Sequence, residues 1–190
     1  MNLTMKSEYN NKKNFIVLGS SFLILEIIIF FKVLLNMIYD LSSWEILSPI
    51  FNSNMKMAVM VFLIINTFLI FISALGTNII LNLVYYKIYG ELKPSSRKFK
   101  IYLIYFIGYT LINLISVAYT VINKTPLDLL YINILSLTFF VILSILIYYI
   151  ELNNYKVQKR HLKVTLLCTS ILIFFCNGLI TLFSVLNELL

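Results

Sequence analysis

Four polar side chains within the long apolar runs of this 190-residue chain could do chemistry. One is the carboxyl group of Glu26, and the other three are the amides of Asn66, Asn113 and Asn177. At 1.5 Å per helical residue, each lies about 14–20 Å from the start of its run. If the runs cross a membrane with a hydrocarbon core of about 30 Å, all four side chains lie near its midplane. A carboxyl and three amides at one level predict a polar cluster that either binds a ligand or joins helices.

Glu26 is the sharpest candidate for a functional residue. If its run crosses a bilayer, an ionised carboxylate there costs several kcal/mol, so we expect the group to be protonated or paired. One hypothesis is that Glu26 lines a polar path or binds a cation or a proton. The other is that it is protonated and hydrogen-bonded to an amide such as Asn66 or Asn113. Lys32 lies about 240° further around the same helix, and we expect it to extend toward lipid headgroups instead.

Five apolar runs must position these side chains, and they occupy residues 15–39, 57–88, 101–122, 129–150 and 164–189. Each is long enough to cross the hydrocarbon core of a membrane, which needs about 20 apolar residues in a helix. The chain is 61% hydrophobic, with a mean hydropathy of +0.93. These features predict an all-α polytopic membrane helical bundle with five transmembrane helices. Residues 1–14 form a short cytoplasmic segment, and residues 15–190 form a single membrane domain.

The second run is longer than the hydrocarbon core requires. Its 32 residues extend about 48 Å as a continuous helix. We expect the helix to project into the cytoplasm, with a break around Gly76 as the alternative.

The net charge of +7 is distributed unevenly among the connections. Twelve Lys and Arg residues lie in the N-terminal segment and in or beside the second and fourth connections. The only basic residues of the first and third connections are Lys56 and Lys124. This alternation predicts a cytoplasmic N-terminus and an external C-terminus. Anionic lipid headgroups are the expected partners of the basic loops, a membrane-protein partner or a second copy is the alternative, and nucleic acid is excluded. The loop residues concerned are Lys93, Arg97, Lys98, Lys100, Lys156, Lys159, Arg160 and Lys163.

Four of the runs have polar residues three or four positions apart, which places them on one helix face. Such seams are expected to face other helices, because polar groups that face lipid lack partners. The seams are Asn66, Ser73 and Thr77; Tyr109, Asn113, Ser116 and Thr120; Asn133, Ser136, Ser144 and Tyr148; and Ser170, Asn177, Thr181 and Ser184.

The sequence contains no recognisable catalytic or metal-binding motif. HExxH, GxSxG and a phosphate-binding glycine loop do not occur. The lone histidine, His161, lies in a connection, and Cys168 and Cys176 lie on one run, where we expect them to pack as small apolar residues. We therefore expect no cofactor, no metal and a non-enzymatic function, with an intramembrane enzyme as the weakest alternative.

The stretch from Asn82 to Tyr109, NLVYYKIYGELKPSSRKFKIYLIYFIGY, resembles the Ypt-interacting protein (Yip) family. In that family a helix ends in a small-residue turn, and a short basic loop leads to a helix that opens with aromatic residues. Five spans with this orientation also agree with the family. The chain departs from the pattern in having Gly90-Glu91 where a double glycine is common, and in lacking a proline early in the third run.

The resemblance implies a multi-pass membrane protein and transfers no functional residue. The isoleucine-, lysine- and asparagine-rich composition indicates a bacterial chain and hence a plasma-membrane location. We therefore expect an accessory or organising role in export, bacteriocin immunity or membrane homeostasis. The alternative is a small transporter subunit or permease that uses the polar cluster around Glu26.

Overall fold

Long α-helices make up nearly all of the described structure. The computed structural model describes residues 3–40, 54–89, 95–154 and 160–189, together with residues 45 and 49. The helices are α1 (Leu3–Tyr39), α2 (Met55–Tyr89), α3 (Ser95–Asn123), α4 (Leu129–Asn154) and α5 (Arg160–Leu189). The prediction of an all-α chain is confirmed over these ranges.

The helices are long and apolar enough to cross a membrane, because a helix satisfies its own backbone hydrogen bonds in lipid. Four meet this test outright, over Lys13–Tyr39, Met55–Val84, Phe99–Asn123 and Leu129–Ile150. The fifth meets it if Lys163–Leu179 and Thr181–Asn187, which are inclined by 53°, count as one span. Only 11–39% of the most apolar window in the four straight spans is buried within the protein. Apolar surface exposed to this extent needs lipid around it, so this is a multi-pass membrane protein.

Helix α2 is continuous over 35 residues and passes through Gly76 without a break. It extends beyond its apolar span, which ends at Val84, to Tyr89. Of the two expectations for the second run, the structure has the long continuous helix.

Two helix ends have recognisable caps. At the start of α2 the Asn54 side-chain oxygen accepts a hydrogen bond from the backbone N–H of Met57 at 3.2 Å, as an N-cap does. At the end of α3, Lys124 adopts a φ of 54° and its N–H donates to the Thr120 carbonyl at 2.9 Å. A left-handed residue in this position ends a helix sharply, and Pro126 follows two residues later.

The chain forms two compact units. Unit 1 comprises Met1–Ala74 and Ser95–Asp128, so it contains α1, the first part of α2, and α3. Helix α1 packs along α3 in parallel, since residues further along α1 meet residues further along α3: Phe22 contacts Phe106, and Lys32 contacts Asn113. Helix α2 runs antiparallel to α1 and meets it in a buried apolar group formed by Met37, Ala58 and Val59.

Rings from all three helices of unit 1 meet at one level. Phe22 of α1, Phe71 of α2 and Phe106 of α3 have ring centroids 5.5–5.8 Å apart, the range of favourable aromatic pairs. This aromatic contact fixes the three helices next to Glu26, one turn along α1 from Phe22.

Unit 2 comprises Leu75–Pro94 and Leu129–Leu190, so it contains the last part of α2 together with α4 and α5. Helices α4 and α5 pack antiparallel. Gly178 of α5 is buried, and a Cβ built on it would lie 3.6 Å from the Phe140 ring and 3.7 Å from Leu137 of α4. The absence of a side chain at Gly178 therefore allows α4 and α5 to approach closely.

Candidate intramembrane polar sites

The Glu26 carboxyl group lies between α1 and α2, where its partner is a hydroxyl group. Thr67 Oγ1 lies 2.5 Å from Glu26 Oε1. We expected Glu26 to form a hydrogen bond with Asn66 or Asn113. In the structure its partner is Thr67, the residue after Asn66 in the sequence. Thr67 was overlooked because it lies about 100° around α2 from the seam that contains Asn66.

The Lys32 ammonium group points into unit 1. Its Nζ donates a hydrogen bond to Asn113 Oδ1 of α3 at 3.0 Å, and the lysine side chain is half-buried. The expectation that Lys32 extends to lipid headgroups is therefore wrong. An amide oxygen within reach on the parallel neighbour gives the cation an acceptor inside the protein.

Asn66 makes no cross-helix hydrogen bond within the described part of the chain. Its Nδ2 donates to the Phe62 carbonyl of its own helix at 2.8 Å, and the side chain is half-buried. Glu26, Asn66 and Asn113 all belong to unit 1, yet each has a different partner, and no hydrogen bond joins any two of them there.

Asn177, the fourth residue of the predicted cluster, belongs to unit 2. Its Nδ2 donates to the Ile173 carbonyl at 2.8 Å and to Thr77 Oγ1 of α2 at 3.3 Å. A second cross-helix bond in this unit runs from Asn133 Nδ2 of α4 to Ser184 Oγ of α5 at 2.9 Å. Both bonds join neutral groups.

The predicted seam of α3 is mostly buried, each of the other three seams has one buried residue, and the remaining seam residues are half-buried. Buried seam residues are Thr77, Asn113, Ser116, Thr120, Ser144 and Ser170. Sequence reasoning missed Asn78 and Thr169, which are buried too. Each directly adjoins a buried seam residue, and a run of two neighbouring polar residues was the signal that could have found them.

Two buried oxygens of unit 1 lack a hydrogen-bond partner among the described residues. They are Asn36 Oδ1, one turn beyond Lys32 on α1, and Ser116 Oγ, one turn beyond Asn113 on α3. Ser116 is 0% exposed. Since α1 and α3 are parallel, both groups lie on the same side of the Lys32–Asn113 bond along the helix axes.

Unit 2 has an apolar groove of about 530 Å³ between α4 and α5. Two serines line it, but Ser144 Oγ donates to the Phe140 carbonyl at 2.9 Å and Ser170 Oγ donates to the Leu166 carbonyl at 3.0 Å. Both hydroxyl hydrogens are thus directed at their own helices, and the rest of the lining is apolar or aromatic. Such a groove suits hydrocarbon.

The predicted basic residues are only partly visible in the structure. Lys100 and Lys163 are exposed near the starts of α3 and α5. Lys93, Lys156 and Lys159 lie outside the described residues, and the side chains of Arg97, Lys98 and Arg160 are likewise outside the description.

The described residues contain no group of three or more His, Cys, Asp and Glu side chains that could hold a metal ion. Cys168 and Cys176 are free thiols on the exposed surface of α5. We expected both cysteines to pack as small apolar residues, but their exposed side chains do not pack between helices.

Comparison of the sequence with models of known families gave no match, and neither did comparison with curated proteins or with solved structures.

Proposed function

We propose that this protein is a non-enzymatic membrane protein of the Yip type that acts as an accessory or organising factor in a bacterial plasma membrane. The family assignment rests on the resemblance of residues 82–109 alone. In this proposal the N-terminus is cytoplasmic, the C-terminus is external, and the basic residues at the cytoplasmic helix ends recruit anionic headgroups.

The use of the intramembrane polar groups supports this proposal. Within the described spans the amides of Asn113, Asn133 and Asn177 all bond across helices, where they stabilise packing. Groups engaged in this way are poorly placed to contact a passing substrate. The exposed basic ends of α3 and α5, near Lys100 and Lys163, then remain as the surfaces that can act on other molecules.

The transporter alternative is favoured by the two buried oxygens without partners, Asn36 Oδ1 and Ser116 Oγ. A polar substrate or water that entered between α1 and α3 would satisfy them. This alternative predicts that changes to the polar residues of unit 1 impair function more than changes to the basic helix ends.

Reversal of three charges tests the headgroup proposal. The variant carries Arg97→Glu, Lys98→Glu and Lys100→Glu and is reconstituted in phosphatidylcholine vesicles that contain a minor fraction of spin-labelled phosphatidylglycerol. Each basic residue near a membrane surface contributes about 1 kcal/mol to anionic-lipid binding, so we expect the loss of three such contributions to lower the relative association constant by at least roughly a hundredfold. The measured quantity is the fraction of labelled lipid that the protein immobilises.

The matched control is Lys124→Glu, an exposed basic residue in the third connection, which the proposal places on the opposite membrane face. This change should lower phosphatidylglycerol immobilisation much less than the triple variant does, because it reverses one charge and not three. Equal immobilisation by the triple variant and the wild type, or an equal loss in the control, would contradict the proposal.

A further inference from the structure

The groove between α4 and α5 follows one face of each helix from the membrane interior to the end of the span. On α4 its lining begins at Val141 and continues to Tyr149, one residue before the span Leu129–Ile150 ends. On α5 the lining extends from Phe174 back to Leu167. Because the two helices are antiparallel, Tyr149 and Leu167 lie at the same end of the groove. We refer to this end as the mouth of the groove.

The polar character of the groove changes with depth. Tyr148 and Tyr149 occupy the last turn of the α4 span, and tyrosine is favoured at the interface between membrane and water. Their hydroxyl groups can donate hydrogen bonds to a ligand. Deeper in the groove, the hydroxyl hydrogens of Ser144 and Ser170 are directed at carbonyls of their own helices. The groove is therefore apolar in the membrane interior and polar at its mouth.

Lys163 extends the groove face of α5 beyond the mouth. Lys163, Leu167 and Ile171 are each four residues apart, so helical spacing places them along one side of the helix. The Lys163 side chain is exposed, and it begins the apolar segment Lys163–Leu179. A cation in this position lies at the headgroup level of a membrane, and its charge is complementary to that of a phosphate group.

The length of this surface matches the depth of one membrane leaflet. Lys163 and Phe174 are separated by eleven residue steps, or about 16 Å of helix. Half of a hydrocarbon core of about 30 Å is about 15 Å. The volume of about 530 Å³ is within the range of about 300–1,000 Å³ that is typical of small-molecule sites. Ile145 and Ile171 in the lining are 51% and 47% exposed, so a lipid chain can enter from the side.

The groove of unit 1 has its polar groups at a different depth. This groove, of about 400 Å³, lies between α1 and α2, and its lining includes Glu26 and Thr67. Glu26 is in the middle of the span Lys13–Tyr39, far from the level of headgroups. None of the described residues that line this groove is basic. Of these two grooves, only that of unit 2 has the polarity of a phospholipid along its length.

We propose that the groove of unit 2 binds one glycerophospholipid. An acyl chain lies between α4 and α5, and the ester and phosphate oxygens lie at the mouth, where Tyr148, Tyr149 and Lys163 supply hydrogen-bond donors. The apolar interior excludes the headgroup, so the lipid binds in one orientation. This inference rests on the proposed function only in assigning a headgroup to the basic end of α5, and the acyl-chain site is tested separately.

A photoactivatable lipid tests the site in the full chain. The probe is phosphatidylglycerol with a diazirine halfway along one acyl chain, present as a minor fraction in phosphatidylcholine vesicles that contain the protein. Irradiation releases nitrogen and leaves a carbene that inserts into a neighbouring bond, so the lipid becomes attached where its chain lies. We expect mass spectrometry of peptides to find the label on the groove faces of α4 and α5. Excess inorganic phosphate should leave this label in place, because a free anion does not fill the apolar groove.

Two variants separate the acyl chain from the headgroup. Ile171→Trp fills the groove with a larger side chain and should lower labelling there at least fivefold. Leu172→Trp is the matched control, because Leu172 is 50% exposed, is the next residue in the sequence and lies outside the groove lining. This variant should be labelled like the wild type. Lys163→Gln should lower labelling about fivefold, which corresponds to the contribution of about 1 kcal/mol from one basic residue at a membrane surface.

Three results would overturn the groove site. They are labelling spread evenly around the exposed surfaces of α4 and α5, equal labelling of the Ile171→Trp and Leu172→Trp variants, and loss of the label in excess inorganic phosphate. The charge-reversed variant at Arg97, Lys98 and Lys100 reports on the proposed function at α3 instead. Groove labelling that persists when that variant binds phosphatidylglycerol as well as the wild type does would support the lipid site and contradict only the proposed function.

Discussion

The grooves of the two units, of about 530 Å³ in unit 2 and about 400 Å³ in unit 1, differ in the kind of polar group that lines them. In unit 2 the groove is lined by hydroxyl groups only, from Tyr148, Tyr149 and two serines whose hydroxyl groups donate to carbonyls of their own helices. In unit 1 the groove contains Glu26, whose short contact is with a threonine that already has an acceptor in its own helix. A serine can satisfy itself locally within a helix, whereas a carboxyl group cannot. Glu26 therefore depends on a neighbouring helix for its hydrogen bond.

The helix pairs differ in the same way. Helices α1 and α3 are joined by a charged group, through Lys32 and Asn113, whereas α4 and α5 are joined by Asn133 and Ser184, which are neutral. Neutral polar groups suffice to join two membrane helices. The ammonium group of Lys32 is therefore more polar than the packing of α1 against α3 requires.

The largest effect is expected from Asn113→Leu. This change leaves the Lys32 ammonium group without its acceptor, and a hydrogen bond to a charged group contributes about 2–3 kcal/mol. We expect the free energy of unfolding to fall by that amount, as measured by circular dichroism during titration of mixed micelles with dodecyl sulfate. The double variant Lys32→Met with Asn113→Leu should recover most of the loss, because no charge is then left unpaired. If the double variant is no more stable than Asn113→Leu alone, the charged bond does not join α1 to α3.

A smaller effect is expected from Gly178→Leu in unit 2. A Cβ at Gly178 would lie 3.4 Å from the Phe174 ring, which is ordinary contact, so Gly178→Ala should be tolerated. The longer leucine side chain must displace Phe140 and Leu137, and overpacking of this kind costs about 1.5 kcal/mol in unfolding free energy. Gly19→Leu in unit 1 is the matched control, since nothing lies within 4 Å of a Cβ built there. Equal stability of the two leucine variants would show that α4 and α5 do not meet at Gly178.

The smallest effect is expected from Asn177→Leu. Its bond to Thr77 joins neutral groups, and such bonds in membrane proteins average about 0.6 kcal/mol. The same micelle titration should therefore give a loss several times smaller than that of Asn113→Leu. Thr77→Val should cause a similar small loss, and the double variant should lose no more than the sum of the two. A loss equal to that of Asn113→Leu would remove the distinction between charged and neutral pairs.

The helices were predictable because hydropathy acts locally along the chain. The predicted run 129–150 coincides with the span Leu129–Ile150, and the run 15–39 differs from Lys13–Tyr39 by two residues at one end. The inward-facing seam of α3 was predictable for a similar reason, since helical spacing alone places Asn113, Ser116 and Thr120 on one face. The spacing of polar residues along the sequence did not predict which side chain on a neighbouring helix each of them contacts. Lys32 was expected to reach headgroups, because the sequence does not show that an amide on α3 lies 3.0 Å away.

The amino-acid sequence by itself determined that this chain is helical and is surrounded by lipid, because both properties depend on the length and composition of single segments. It also determined which few side chains cannot remain exposed to hydrocarbon. Tertiary structure alone decided which of those side chains meet. It paired Glu26 with Thr67 and Lys32 with Asn113, because the register between neighbouring helices depends on contacts along their whole length, such as the ring contact between Phe22 and Phe106.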